Sequence, residues 1–279
     1  MNYFVEEYLQ GHTPNPCVTC NRFVKWEALL EKSKEFGADY IATGHYARIS
    51  SKSIDGGLEK YYVNQGVNVR KDQSYMLYRL GQDVLSRLIF PLGDFEDKEQ
   101  IRDIARSVNL SNAEKKDSQE ICFVPNDDYV SYMAQRGHKS KPGDYVNSEG
   151  HVLGQHQGII HYTIGQRKGL GIALGKPAFV TRIDAETNQV VLGSNEDLFS
   201  CQVLSSGNVI SDGSTAAELD GMKVLAKVRY SAKPAEAVLS VQPDGRILTV
   251  FTEPQRAATP GQSIVWYDED CVIGGGFID

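Results

Sequence analysis

Apolar residues recur at helical spacing from the start of the chain. Phe4, Val5, Tyr8 and Leu9 trace one amphipathic helix, and Phe23, Trp26, Leu29, Leu30 and Phe36 trace a second that Gly37 stops. Asp39–Thr43 then reads as a short buried strand running into the loop Gly44-His45. A further helix is predicted from about Asp97 to Val108, with Ile101, Ile104, Ala105 and Val108 on its inner face and Asp94 or Asp97 as its cap. The first part of the chain is therefore α/β. It offers one strong strand where a parallel sheet needs several, covered on both faces. No capping signal precedes the first helix. The pattern predicts the later part of a larger α/β domain whose opening strands lie outside this sequence.

The texture changes near Asn126. Glycines crowd together between Gly143 and Gly175, and apolar runs such as Ala178-Phe179-Val180 and Val190-Val191-Leu192 lie between turn signals. Beyond Cys201 the strand signal sharpens. Val238–Val241 and Ile247–Phe251 flank the hairpin turn Pro243-Asp244-Gly245. Ser263–Tyr267 and Val272-Ile273-Gly274 flank the acidic turn Asp268-Glu269-Asp270. Short antiparallel strands at this density predict a small barrel. The expected fold class is α/β plus β, in three domains: residues 1–125, 126–200 and 201–279.

Of the 279 residues, 41% are hydrophobic and 23% charged, an ordinary globular composition. Mean hydropathy is -0.35, and no apolar run approaches the ~18 residues a membrane-spanning helix needs. Residues Met1–Glu7 lack the basic and apolar regions of a signal peptide. Net charge is -7, and none of the three segments is basic overall, so contact with nucleic acid must rest on local groups. The five cysteines are odd in number. Without an export signal they point to a reducing, cytoplasmic setting, where paired cysteines are chemical or metal-binding more often than structural.

Cys17-x-x-Cys20 follows Thr13-Pro14-Asn15-Pro16, whose prolines stiffen the approach, and precedes the helix around Trp26. A helix N-terminus favours thiolate. The bland alternative is a zinc knuckle or plain loop, but no second pair with zinc spacing follows. Cys122 comes after Lys115 and Lys116, which would stabilise a thiolate; the alternative is a core cysteine beside Ile121 and Phe123. Cys201 and Cys271 adjoin strands without polar company. Gly44-His45 ends a strand where α/β sheets place ligands, or is a simple turn. The loop Gly165-Gln166-Arg167-Lys168-Gly169-Leu170-Gly171 suits phosphate contact, or is a solvated hairpin. Lys71-Asp72-Gln73-Ser74 and Arg229-Tyr230 are equally open, and capping by Asp72 accounts for the first without a ligand.

Taken in order along the chain, these segments resemble one family, the tRNA-specific 2-thiouridylases (MnmA/TrmU). The resemblance rests on Thr13–Pro16 with Cys20-Asn21, on Gly37-Ala38-Asp39-Tyr40-Ile41-Ala42-Thr43-Gly44-His45-Tyr46, and on Lys71-Asp72-Gln73-Ser74-Tyr75. It continues with Lys115-Lys116-Asp117-Ser118 and Ile121-Cys122-Phe123, with Gly165–Gly171, and with Thr259-Pro260-Gly261-Gln262-Ser263. It implies a partial adenine-nucleotide alpha hydrolase-like (PP-loop ATPase) α/β domain, a small β-rich central tRNA-binding domain and a C-terminal antiparallel β-barrel.

The resemblance also implies a reaction. ATP, with Mg2+, adenylates the C2 oxygen of the wobble uridine (position 34) of tRNA. Sulfur arrives from a persulfide-relay donor protein on Cys122, and Cys20 releases it, leaving a Cys20–Cys122 disulfide. Asn15, Pro16 and Cys17 match the segment that meets the target base. Gly44 matches an ATP contact. His45, Lys71, Asp72, Gln73, Arg229, Tyr230 and Gln262 match tRNA contacts. Two features depart from the family. Its S-G-G-x-D-S phosphate loop occurs nowhere in this sequence, so the chain alone is expected to be inactive. Cys17 stands where the family often has Asp, and a third thiol makes iron–sulfur ligation by Cys17, Cys20 and Cys122 the alternative, in a tRNA-binding module without catalysis.

Overall fold

The computed structural model describes residues 2–54, 56–114, 121–124, 126 and 128–279. Lys115, Lys116, Asp117 and Ser118, part of the motif around Cys122, lie outside the described residues.

The opening helix α1 (Asn2–Leu9) buries Phe4, Val5 and Tyr8. Two prolines and Asn15 then start a long helical run. It passes from α2 (Pro16–Cys20) through a π-helical stretch (Asn21–Glu27) into α3 (Ala28–Glu35). Gly37, at φ 65°, ends it as predicted. Strand β1 (Ile41–Ala42) follows and pairs in parallel with β4 (Leu88–Ile89), giving a two-stranded sheet. Between them lie an antiparallel hairpin, β2 (Ala47–Ile54) and β3 (Leu58–Gln65), a 3-10 turn at Ser74–Leu77, and α4 (Gln82–Leu85). Helix α5 (Lys98–Ser107) is capped by Asp97, whose carboxylate accepts from the Glu99 N–H.

The central module adds α6 (Tyr129–Gln135) and a four-stranded sheet of β5 (Gly143–Val146), β6 (Val152–His156), β7 (Phe179–Asp184) and β8 (Gln189–Gly193), in the order β6-β5-β8-β7. The last part contains β9 (Phe199–Ile210), α7 (Ala216–Leu219), β10 (Lys223–Lys227), β11 (Ala235–Val241), β12 (Ile247–Arg256), β13 (Ser263–Asp268) and β14 (Cys271–Ile278). Strands β13-β10-β11-β12-β9-β14 form one sheet, and β13 also pairs with β14, which closes a six-stranded barrel. Both hairpins read from the sequence are present, β11–β12 and β13–β14.

Alternation along the barrel strands sorts the side chains. Ile264 and Trp266 point into the barrel with Val224, Ala226, Leu239 and Phe251. Val265 and Tyr267 point outward, into a core with Trp26, Leu30, Tyr75, Tyr78 and Phe90. The first part of the chain thus builds its core against the outside of the barrel. The hairpin β2–β3 extends the same sheet beyond β14. Its anchor is the acidic turn, where Asp270 accepts from Arg48 Nη2 (2.5 Å) and Asn64 Nδ2 (3.2 Å).

The helices of the first segment are covered unevenly, and two apolar faces read from the sequence, those of α5 and of the Phe23–Phe36 run, are not buried as expected. Helix α1 packs on the central module, with Phe123, Tyr132 and Tyr129 around Phe4 and Tyr8. Helix α5 buries no residue; Ile104 and Val108 are exposed. Phe23, Leu29 and Phe36 are also exposed, although Trp26 and Leu30 of the same run are buried. The helical periodicity was real, but the apolar faces of this part are only half used.

Barrel closure depends on the absence of side chains at Gly274, Gly275 and Gly276. A Cβ on Gly275 would stand 2.3 Å from the Ile264 carbonyl and 2.9 Å from the Tyr78 ring. Gly275→Ala is therefore expected to destabilise the protein by about 3 kcal/mol, an overpacking effect. Urea unfolding followed by tryptophan fluorescence measures it, and an unchanged midpoint would refute the account.

Candidate thiol site and its polar surround

Asn15 begins the site. Its side chain caps α2 by accepting from the Cys17 N–H at 3.1 Å, and its Nδ2 reaches Met76 Sδ at 3.5 Å. Pro16 fills the first helical position, where a missing N–H costs nothing. Cys17 and Cys20 therefore sit inside the first turns of the helix rather than before it. Val18, between them, is fully buried. Asn21, where the π-helical stretch starts, is buried and donates to the Met76 carbonyl at 3.1 Å. Stretches of π-helix are frequent at functional sites, because the wider turn re-aims side chains.

All five cysteines are free thiols. Cys17 and Cys122 are exposed and Cys20 is half-buried. Phe123 and Val124 pack into the central core, which holds the short segment and leaves Cys122 at the surface rather than inside. Although the Cys17 residue is exposed, the protein packed around its sulfur desolvates the thiol and pushes its pKa up, against a lowering pull from Lys25 and with smaller raising influences from Cys122 and Cys20. The helix N-terminus predicted the opposite sign, and desolvation outweighs it. Among the described residues, no group of three or more His, Cys, Asp or Glu side chains is gathered to hold a metal ion.

Gly44 is exposed beyond the end of β1, and a Cβ there would make only an ordinary contact with Leu92 at 3.4 Å. The position is open to a ligand. His45 turns inward. It is 9% exposed, stands against the rings of Trp26 and Phe90, and shares a 2.7 Å hydrogen bond with Thr43 Oγ1. Burial and then the Lys25 charge lower its pKa to about 4, so it is neutral at pH 7.

Lys71, Asp72 and Gln73 lead into the 3-10 turn. Asp72 is buried, and its carboxylate accepts from the N–H groups of Gly66 and Ser74 and from the Ser74 hydroxyl. The Gln73 N–H donates to the Tyr46 carbonyl while its side chain accepts from the Tyr46 N–H, at 2.8 and 3.0 Å. Tyr75 donates to the Ser263 carbonyl at 2.7 Å and lies 6.0 Å from the Tyr230 ring. Gln262 donates through Nε2 to the Thr13 carbonyl at 2.6 Å, while the Thr13 N–H donates to Pro260 at 2.9 Å. The start of β13 thereby grips the chain just ahead of Asn15. Gly261, at φ 85°, has no room for a side chain, since a Cβ would meet His12 at 2.9 Å.

The structure thus connects Asn15–Cys20, Gly44-His45, Lys71–Gln73, Arg229-Tyr230 and Gln262 through the turn at Ser74–Leu77. The loop Gly165–Gly171 lies elsewhere, with Arg167 and Lys168 exposed. Sequence reasoning missed the roles of Met76 and Tyr75 because both read as ordinary apolar residues.

A first segment with a two-stranded parallel sheet and helices, a central module and a closed six-stranded barrel define a multidomain protein of the HUP class. Residues 1–126 match the tRNA methyl transferase HUP domain, 131–194 the tRNA methyl transferase PRC-barrel domain, and 210–278 the aminomethyltransferase beta-barrel domain. The chain is 49% identical over 279 residues to the tRNA-specific 2-thiouridylase MnmA of Lachnoclostridium phytofermentans, covering 100% of this chain and 76% of that protein. It is 50% identical over 280 residues to the protein of that name from Acetivibrio thermocellus, again 100% of this chain and 76% of the relative. The chain belongs to the tRNA-specific 2-thiouridylase family.

Two outcomes follow from this geometry. Because His45 titrates near 4 when folded and near 6.5 when unfolded, the unfolded state binds more protons between those values. Stability is therefore fully present above about pH 6.5 and is lost as pH falls towards 4, by up to about 3 kcal/mol. His45→Gln should flatten that part of the stability profile relative to the parent; identical profiles would refute it. Gln262→Ala removes one hydrogen bond from the grip on Thr13 and should cost about 1 kcal/mol. It should also speed amide exchange at Thr13 and Cys17, measured by mass spectrometry, and unaltered exchange would refute the grip.

Proposed function

We propose that this protein is a tRNA-uridine 2-sulfurtransferase that thiolates the wobble uridine at C2, working in the cytoplasm. The reading is supported chiefly by one observation: the chain is 49% identical over its whole length to a tRNA-specific 2-thiouridylase, and both Cys20 and Cys122 are free thiols. No helix among the described residues is long and apolar enough to cross a membrane. The proposed division remains 1–125, 126–200 and 201–279, although Phe4, Val5 and Tyr8 pack in the central cluster, and Val265 and Tyr267 in that of the first segment.

The chemistry separates into two halves. ATP, as co-substrate with Mg2+, transfers AMP to the uridine C2 oxygen and leaves as pyrophosphate. Gly44 is the open backbone position for the nucleotide. Meanwhile a donor protein leaves a persulfide on Cys122. The Cys20 thiolate attacks the Cys122 sulfur, a Cys20–Cys122 disulfide forms, and hydrosulfide departs to displace AMP from C2. An external dithiol then reduces the disulfide with two electrons. Asn15, Pro16 and Cys17 face the target base in this reading, and Arg229 and Tyr230 hold the tRNA with His45, Lys71, Asp72, Gln73 and Gln262. For His45, Asp72 and Gln262 the side chains are already engaged by protein, so the contact would come through the backbone they hold in place.

The sulfur half is testable on the chain as it stands. Loaded with a persulfide donor and examined by mass spectrometry, Cys122→Ser should carry no extra sulfur. Cys20→Ser should retain the persulfide on Cys122 without forming the disulfide, and Cys201→Ser should behave as the parent. A persulfide on Cys20 or Cys271 would overturn the assignment. With ATP and tRNA added, the 279-residue chain is expected to yield no 2-thiouridine, since no S-G-G-x-D-S pattern occurs among its residues. Thiolated product would refute that expectation.

A further inference from the structure

The sulfur-transfer steps above use Cys20 and Cys122 and give Cys17 no bond to make. Yet Cys17 and Cys20 lie in one helical element, α2. Helical geometry places Cα atoms three residues apart at about 5 Å, inside the roughly 4.4–6.8 Å that a disulfide spans. Side chains at that spacing share a helix face. Val18 and Asn21 repeat the spacing one position on, and they face the interior. Val18 is fully buried, and Asn21 is buried and donates to the Met76 carbonyl at 3.1 Å. One pair thus pins the helix, and the other carries the sulfurs. Both thiols are free, Cys17 exposed and Cys20 half-buried.

A disulfide from Cys20 to Cys122 would leave a third thiol within one helical turn of one of its sulfurs. Attack by that thiol is intramolecular, so it outruns external dithiols at ordinary concentrations. Desolvation raises the pKa of Cys17. Such a thiol is ionised less often but is the stronger nucleophile once ionised. That suits a group which leaves the incoming persulfide to Cys122 and acts afterwards.

We propose that Cys17 is the resolving thiol of the sulfur-transfer cycle. Its sulfur attacks Cys20 Sγ, and the Cys20–Cys122 bond breaks. A Cys17–Cys20 disulfide forms, and Cys122 departs as thiolate, taking up the proton that Cys17 lost. No electrons enter at this step. Cys122 is then free for another persulfide, and the external dithiol delivers its two electrons to the Cys17–Cys20 bond. The proposal rests on the sulfur-transfer reading above, from which it takes the Cys20–Cys122 disulfide.

The test adds one equivalent of glutathione persulfide to the reduced 279-residue chain. Samples quenched with N-ethylmaleimide over time are mapped by mass spectrometry without reduction. In the parent, the Cys17–Cys20 linkage should accumulate while Cys122 becomes alkylated. Cys17→Ser should stop at the Cys20–Cys122 linkage, which should stand about tenfold above its level in the parent. Cys122→Ser should form no Cys17–Cys20 linkage. A parent that accumulates Cys20–Cys122 as Cys17→Ser does would overturn the proposal and leave the sulfur-transfer reading standing. A Cys17–Cys20 linkage in Cys122→Ser would also overturn it, since the pair would then oxidise without Cys122. If Cys17→Ser forms no Cys20–Cys122 linkage, the sulfur-transfer reading falls and the proposal falls with it.

Discussion

The buried carboxylate of Asp72 holds the molecule's central turn. It gathers the N–H groups of Gly66 and Ser74 and the Ser74 hydroxyl, and that arrangement aims the residues after it in three directions. Met76 meets Asn15 and Asn21 of the thiol helix. Gln73 pairs with Tyr46 beside the open Gly44. Tyr75 donates to the Ser263 carbonyl at the start of β13, and Tyr78 shares a hydrogen bond with the Ser263 hydroxyl. An ionised group out of water is tolerated only when its lone pairs are met, and here they are. The turn behaves as a junction, and the candidate contacts for nucleotide, sulfur and RNA all hang from it.

The barrel is the other half of that arrangement. Its strand β13 faces two cores at once, Trp266 inward and Tyr267 outward. Trp266 meets its polar need inside, donating to Thr249 Oγ1 at 3.0 Å. The segment just before β13 holds Thr13 through Pro260 and Gln262. A rigid closed sheet thus sets where the loop ahead of the cysteines begins. Precision at the thiols comes from a scaffold far away in sequence, which suits chemistry in which two sulfurs must meet.

What could be read in advance divides along physical lines. Turn chemistry is local, so Asp244-Gly245 and Asp268-Glu269-Asp270 announced their hairpins, and Gly37 announced a helix end. The order of short motifs was enough to suggest the family. Strands β2 and β3 went unread because their polar faces show weak alternation, and their attachment to β14 is a long-range pairing that no window of sequence contains. The inner face of α5 was misread because periodicity reports an apolar stripe but not whether anything covers it. The sign of the Cys17 shift was misread because a helix N-terminus is visible in sequence and burial is not.

The π-helical stretch has a bearing on how this helix tolerates change in length. Each i→i+5 closure places one more residue in the turn than an α-helix would. Across Asn21–Glu27 the helix therefore lags its α-helical phase, and one residue of lag corresponds to about 100° of rotation. Cys17 and Cys20 lie on one side of that lag, and Trp26 and Leu30, which anchor the helix in its core, lie at or beyond the other. Deleting a residue there would not merely shorten the helix. It would let the stretch relax to α-helix and swing one end around the axis relative to the other, so the thiols would face a new direction while the anchor stayed where it was. The spacing from sulfur to tryptophan is thus a phase setting as much as a length, and a lineage that altered it by one residue would have to rebuild either the anchor or the site.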